Sequence, residues 1–271
     1  MKKFILAILF IVSGCLSSTA AQTVEKKPSP QWWLSSSFAD TVEQYLFHAE
    51  AQYSYTKMSG TIAGEMHSGK VSTAVRKSIF TLHADYFIDK TDLSLKSLGM
   101  NYLASSQAFT SYLDVDATPL LYGEGGFIWE KDNTLYLKNR YTFYIGAGLN
   151  GIIYKQHYLK ILFAAGTINQ QYTVPVGNFD VVKGAHSAFY IKQQYKYVIN
   201  PILSFMEEAY YLNDIDYTNR YRLGVILNVR VIVAEPVALM LGYNYRFDKE
   251  SELLGAIPKN TTQSIGVMLN L

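Results

Sequence analysis

"RYRLGVILNVRV", residues 220–231, and "VALMLGYNYRFD", residues 237–248, decide the fold. In the first, Tyr221, Leu223, Val225, Leu227, Val229 and Val231 alternate with Arg220, Arg222, Gly224, Asn228 and Arg230. In the second, Val237, Leu239, Leu241, Tyr243, Tyr245 and Phe247 alternate with Gly242, Asn244, Arg246 and Asp248. A two-residue period with one apolar face is the mark of a β-strand, because successive side chains leave a strand on opposite sides. The link between them ends in Pro236, which can initiate a turn but cannot donate to a ladder. The two stretches therefore read as a hairpin.

The same pattern recurs outward from this hairpin. "FHAEAQYSY" sets Phe47, Ala49, Ala51, Tyr53 and Tyr55 against His48, Glu50, Gln52 and Ser54. "FTLHADYFI" sets Phe80, Leu82, Ala84, Tyr86 and Ile88 against Thr81, His83 and Asp85. Short links near 76–78, 116–119, 154–157, 198–201 and 233–236 alternate with longer polar ones near 57–69, 89–101, 131–138, 167–186, 212–219 and 248–261. About twelve strands of roughly 9–12 residues follow. The last, "SIGVMLNL", turns Ile265, Val267, Leu269 and Leu271 one way and Ser264, Gly266, Met268 and Asn270 the other. The expected fold is all-β, an antiparallel up-and-down transmembrane β-barrel preceded by a cleavable signal peptide.

A soluble barrel alternates too, but here the two faces differ in a telling way. Gly146, Gly148, Gly166, Gly224, Gly242 and Gly266 all fall on the polar face. Glycine weakens a strand and gives an exposed face little, whereas a crowded lumen gains room. Large residues hold the apolar face, with Tyr53, Tyr55, Trp129, Tyr197, Tyr243, Tyr245 and Phe247 near strand ends, as aromatic girdles at bilayer interfaces require.

The N-terminus reads as an export signal. Lys2 and Lys3 precede the apolar run Phe4–Val12, which is too short to span a bilayer, and small residues follow. Two cuts compete there: Val12-Ser13-Gly14-Cys15 resembles a lipidation box, and Ser18-Thr19-Ala20-Ala21 an ordinary cleavage site. A barrel needs no acyl anchor, so cleavage after Ala20 or Ala21 is expected, with lipidation of Cys15 as the alternative. The division is then 1–21 signal peptide, 22–43 periplasmic arm with Pro28, Pro30 and Trp32-Trp33, and 44–271 barrel.

Removing both signal lysines takes the formal charge from +2 to zero, which argues against a nucleic-acid partner. Cys15 is the only cysteine, which leaves no disulfide framework and no thiolate metal site. The expected partners are outer-membrane lipids and, during biogenesis, the barrel-assembly machinery and periplasmic chaperones. A monomer without cofactor is expected.

The polar face carries the functional candidates. Glu50, Asp85, Glu124, Arg140, Lys160, Lys192, Lys196, Arg220, Arg222, Arg230 and Arg246 are expected to face the lumen. They either pair and plug it or line a narrow channel. Glu207 and Glu208 are adjacent, so one of them should face inward. His67-Ser68 and His186-Ser187 are the only hint of a lipid- or peptide-hydrolysing barrel. Neighbours on a strand diverge, so they are poorly placed for nucleophilic catalysis, and both are expected in or beside long loops. A lipid-anchored soluble barrel binding an apolar ligand is the third alternative.

The chain resembles the salt-induced outer-membrane protein family, a group of bacterial β-barrels of unknown function. The resemblance runs through "AQYSYTKMSGT", "YLDVDATPLLYGEGGFIWEKDNTLYLKNRYTFYIGAGLNG", "YTNRYRLGVILNVRVIVAEPVALMLGYNYRFD" and "IPKNTTQSIGVMLNL", within residues 45–271. Leu271 stands where such barrels usually end in an aromatic residue. The resemblance implies a fold and a location, and no reaction.

Overall fold

Twelve strands close into one barrel. The computed structural model describes residues 45–58, 62–95, 100–154, 156–173, 185–217, 220–250 and 259–270. The expected signal peptide, the N-terminal arm, Cys15 and Leu271 lie outside the described residues. The strands are β1 (Leu46–Met58), β2 (Ile62–Lys77), β3 (Phe80–Leu95), β4 (Met100–Asp116), β5 (Leu121–Asp132) and β6 (Leu137–Tyr154). The second half comprises β7 (His157–Tyr172), β8 (Ala185–Val198), β9 (Leu203–Asp214), β10 (Tyr221–Ala234), β11 (Val237–Asp248) and β12 (Lys259–Asn270).

Each strand pairs antiparallel with its neighbours in sequence, and β1 pairs with β12 to close the sheet. Glu50 stands opposite Asn270 and Tyr55 opposite Ile265 along that seam. Over this stretch the first and last strands pair with each other, so neither presents a free edge there.

Most strands are longer than the alternation suggests, reaching 18 residues in β6, while β5, β9, β11 and β12 keep to 12. The expected long links at 57–69 and 89–101 shrink accordingly, since β2 starts at Ile62 and β3 runs to Leu95. Polarity marks where the apolar belt ends. The hydrogen-bonded ladder continues past it, because backbone pairing does not depend on what the side chains face. Both His-Ser pairs therefore lie within strands, His67-Ser68 in β2 and His186-Ser187 in β8, and not in loops.

The short turns fall where expected, on one rim. Ser78 and Ile79 join β2 to β3, with Ser78 in the left-handed region (φ 54°), as a tight hairpin requires. Two turns containing proline are held by side chains. Thr118 Oγ1 accepts from the amides of Leu120 and Leu121, and Asn200 Oδ1 from those of Ile202 and Leu203.

The outer surface is apolar. Ile145 is 75% exposed and Ile265 67%, and Val71, Leu113, Phe163, Leu239 and Leu241 are exposed beside or between them. Aromatic rings cluster at the two ends of this belt. Tyr211, Tyr221 and Phe247 pack in series toward the long-loop rim, and Tyr197 stacks on His157 at 4.2 Å toward the short-turn rim. Among the described residues, no helix is long and apolar enough to cross a membrane.

The lumen is packed on one side. Tyr122, Tyr144, Leu162, Ala164, Ile168, Ala188, Tyr190 and Leu212 form a buried cluster along β5 to β9. Inward glycines make room for its rings. Tyr122 stands in register with Gly148, Tyr144 with Gly126, and Tyr210 with Gly224. In each pair a Cβ on the glycine would collide with the tyrosine ring. The small residue lets a large ring lie flat along the wall of a crowded interior.

Candidate functional site: the barrel lumen

Strand parity delivers charged side chains to the lumen at three levels. Nearest the short turns, Arg76 donates to Asp116 at 3.0 Å and to Thr81 at 3.1 Å, and both members of the ion pair are fully buried. Lys160 reaches across from β7 to Asp114 of β4 at 2.7 Å, and His83 lies 3.6 Å from the same carboxylate. His83 also stacks on Tyr112 at 4.4 Å. Glu50 accepts from Gln52 at 3.0 Å and faces His48 at 3.5 Å.

At mid-height, Lys192 of β8 contacts Glu124 of β5 at 2.5 Å. Tyr144 donates to the same carboxylate oxygen at 2.8 Å. Lys192 lies over the Tyr112 ring and Lys160 over the Tyr122 ring, so each ammonium meets both an acid and an aromatic face. Asp85 and Lys70 approach more loosely, at 3.9 Å and half exposed. Arg246 sits over the Phe87 ring at 5.5 Å.

Toward the long loops a denser network crosses the lumen. Arg140 of β6 donates to Gln170 at 3.0 Å and to Asp248 of β11 at 3.2 Å. Its guanidinium also faces Glu130 at 3.6 Å and Glu250 at 3.9 Å. Arg222 of β10 reaches Asp248 at 3.3 Å, Glu130 of β5 at 3.5 Å and Gln170 of β7 at 3.2 Å. Gln170 donates in turn to both oxygens of Glu250, at 2.7 and 2.8 Å. Arg220, one residue before β10, lies 3.6 Å from Glu250. A buried ion pair is retained only where geometry and further hydrogen bonds offset desolvation, and here each charge has several partners.

Glu50, Asp85, Lys160, Lys192, Lys196, Arg222, Arg230 and Arg246 line the central cavity, Glu124 and Arg140 are buried in the networks beside it, and Arg220 lies at the end of a loop rather than in a strand. Eight of the eleven find an acid, base or polar partner in these networks, and Arg246 and Lys196 each have an aromatic ring beyond 5 Å, Phe87 at 5.5 Å and Tyr158 at 5.3 Å. Among the described residues, Lys196, Arg230 and Arg246 have no carboxylate within 4.0 Å. Of the two adjacent acids, Glu208 faces inward and accepts from Gln194 at 3.0 Å. Glu207 faces outward, in register with Leu227 and Tyr195.

Arg76, Asp114, Asp116, Glu130 and Glu250 were missed as lumen residues. They lie close to links, where charge reads as loop. Parity would have found Arg76, which shares a face with Ala74, and Asp114 and Asp116, which share one with Tyr112. Between the networks a cavity of about 370 Å³ remains.

Neither His-Ser pair forms a nucleophile and base. His67 points outward, hydrogen-bonded to Tyr53 at 2.8 Å, while Ser68 lines the lumen. His186 is buried beside Asp216 at 3.9 Å, and Ser187 is exposed on the opposite face. With Asp214 these two form the one group of three metal-capable side chains found among the described residues, their ligand atoms lying within 4.8 Å of one another.

Several solved structures are similar over most of their length at low identity. The translocator domain of autotransporter NalP from Neisseria meningitidis is 12% identical, covering 85% of this chain and 89% of that one, with a TM-score of 0.46. The NanC porin is 11% identical, covering 83% and 100%, with a TM-score of 0.47. An outer membrane channel from Pseudomonas putida F1 is 10% identical, covering 93% and 100%, with a TM-score of 0.47. No curated protein matches the chain. Residues 51–270 match the family described as "Protein of unknown function, DUF481", and the chain belongs to that family.

Proposed function

We propose that this protein is an integral β-barrel of the bacterial outer membrane whose lumen is a narrow, internally braced channel rather than an open pore. The membrane reading rests on the outer surface. A continuous belt of exposed Ile, Leu, Val and Phe between aromatic ends is costly in water and suits hydrocarbon. Closure matters for the same reason, since an open sheet edge in lipid leaves backbone groups unpaired at several kcal/mol each. By the usual arrangement of such barrels the short turns face the periplasm and the long loops the exterior.

The observation that carries the channel reading is the ion pair between Arg140 and Asp248, which spans the lumen instead of linking neighbouring strands. Lys192–Glu124 and Lys160–Asp114 do the same at lower levels. Eight strands enclose only side chains and sixteen an aqueous channel. Twelve leave space that this chain fills in part with tyrosines and transverse pairs, sparing about 370 Å³. Such a path suits single ions and small solutes. A purely structural role in the stressed envelope, as the resemblance to salt-induced proteins implies, is the second reading, favoured by the buried tyrosine cluster. On either reading the barrel is a monomer, is not an enzyme, and is delivered by an export signal and the barrel-assembly machinery.

Two measurements on one preparation test this. The purified protein should require detergent and change its electrophoretic mobility on boiling. In planar bilayers it should give small, discrete conductance steps. Solubility without detergent would refute the membrane reading, and wide-pore conductance would refute the braced lumen.

A further inference from the structure

We infer that the short-turn end of the lumen holds a binding site for a small organic anion with an apolar body, such as an aromatic monocarboxylate. The inference deepens the channel reading and rests on it. Lys196 is 4% exposed and Arg230 5%, and both line the lumenal cavity. Among the described residues no carboxylate approaches either within 4.0 Å, and Arg230 Nε has no hydrogen-bond partner. Glu50, whose charge Arg230 feels, is already engaged by Gln52 and His48. By contrast Arg76, Arg140, Lys160, Lys192, Arg220 and Arg222 each lie within 4.0 Å of a carboxylate. Lys196 has only the Tyr158 ring, 5.3 Å away. Two like charges held out of water with no carboxylate in contact are a standing electrostatic cost, and an anion from solution reduces it.

The surroundings specify the rest of the ligand. Tyr158, Lys196 and Met206 follow one another in register across β7, β8 and β9. Arg230 and Met240 stand in register on β10 and β11, one step along the wall. Met240 packs with Ala238 and Met268 into a small buried apolar cluster, against which Ile232 lies. Met206, Met240 and Met268 all face the same cavity as the two cations. Methionine is flexible and polarisable and moulds to varied apolar shapes. Two cations beside a methionine shelf match a carboxylate carried on a ring or short chain better than they match a bare inorganic anion.

Calorimetry on the full-length mature barrel in detergent, with its boiling-dependent mobility confirmed first, tests this. The probes are benzoate, sulfate and benzyl alcohol, which separate charge with body, charge alone and body alone. Benzoate should bind one site per chain. Lys196→Met and Arg230→Met should each weaken it by about tenfold or more, the loss expected for a charged hydrogen bond. Sulfate and benzyl alcohol should bind at least about tenfold more weakly than benzoate, since each offers only one of the two features. Because each variant removes an uncompensated charge, it should leave the heat-shift temperature unchanged or raised. No benzoate binding, binding indifferent to both variants, sulfate binding as tight as benzoate, or a lowered heat-shift temperature in both variants would each overturn the site. Any of these results with an intact heat shift would leave the barrel itself standing.

Discussion

Arg140 Nη2 lies 3.2 Å from Asp248 Oδ2, yet the two residues are 108 positions apart in the chain and five strands apart around the wall. They meet only because the wall curves back on itself. Their contact is thus a property of the closed barrel, and it sets the width of the lumen at that level. The other transverse pairs, Lys192–Glu124 and Lys160–Asp114, extend the principle downward.

Lys192 and Glu124 are both almost wholly buried. Lys192→Met should strand a carboxylate in the lumen and cost about 3–5 kcal/mol of stability. The double variant with Glu124→Gln should recover much of that loss, because both charges go together. Urea unfolding in detergent or lipid vesicles measures both. Simple additivity of the two single effects would show that the pair is not coupled.

Tyr210 covers Gly224 from the neighbouring strand. Gly224→Val should force the ring off the wall, at about 1–3 kcal/mol for overpacking. Combined with Tyr210→Ala, the same valine should cost much less. An equal cost in both backgrounds would mean that the ring and the glycine are not partners.

Glu207 projects outward among Leu227, Tyr195 and the apolar belt. A lipid-facing carboxylate costs less than a lipid-facing arginine but is still unfavourable. Glu207→Leu should therefore stabilise the barrel by about 1 kcal/mol in vesicles. Destabilisation of the size expected for Lys192→Met would place that side chain in the wrong environment.

Much of this was readable from alternation alone. Strand type, closure through the last segment and the lumen positions of Glu124, Arg140, Lys160 and Lys192 follow from parity, because a side chain's face is a local property. Partner choice is not local. That Arg140 finds Asp248, or Lys160 finds Asp114, depends on which non-adjacent strands face each other across the lumen, and no single stretch encodes this. Asp116 falls in the link expected at 116–119, because charge beside Pro119 looks like loop, and Asp114 lies just before it, although the ladder runs through both. The methionine shelf was hidden for a related reason. Met206 and Met240 are apolar residues on the polar face, so they weaken the very pattern that identifies a strand.

The braced lumen is tested most directly by single-channel conductance of the wild-type barrel beside Arg140→Ala in the same bilayer. Wild type should conduct in small steps, and the variant, with its upper crossbar removed, should conduct severalfold more while still shifting mobility on boiling. Equal conductance in the two proteins, or a wild type that already conducts like a wide pore, would contradict the account.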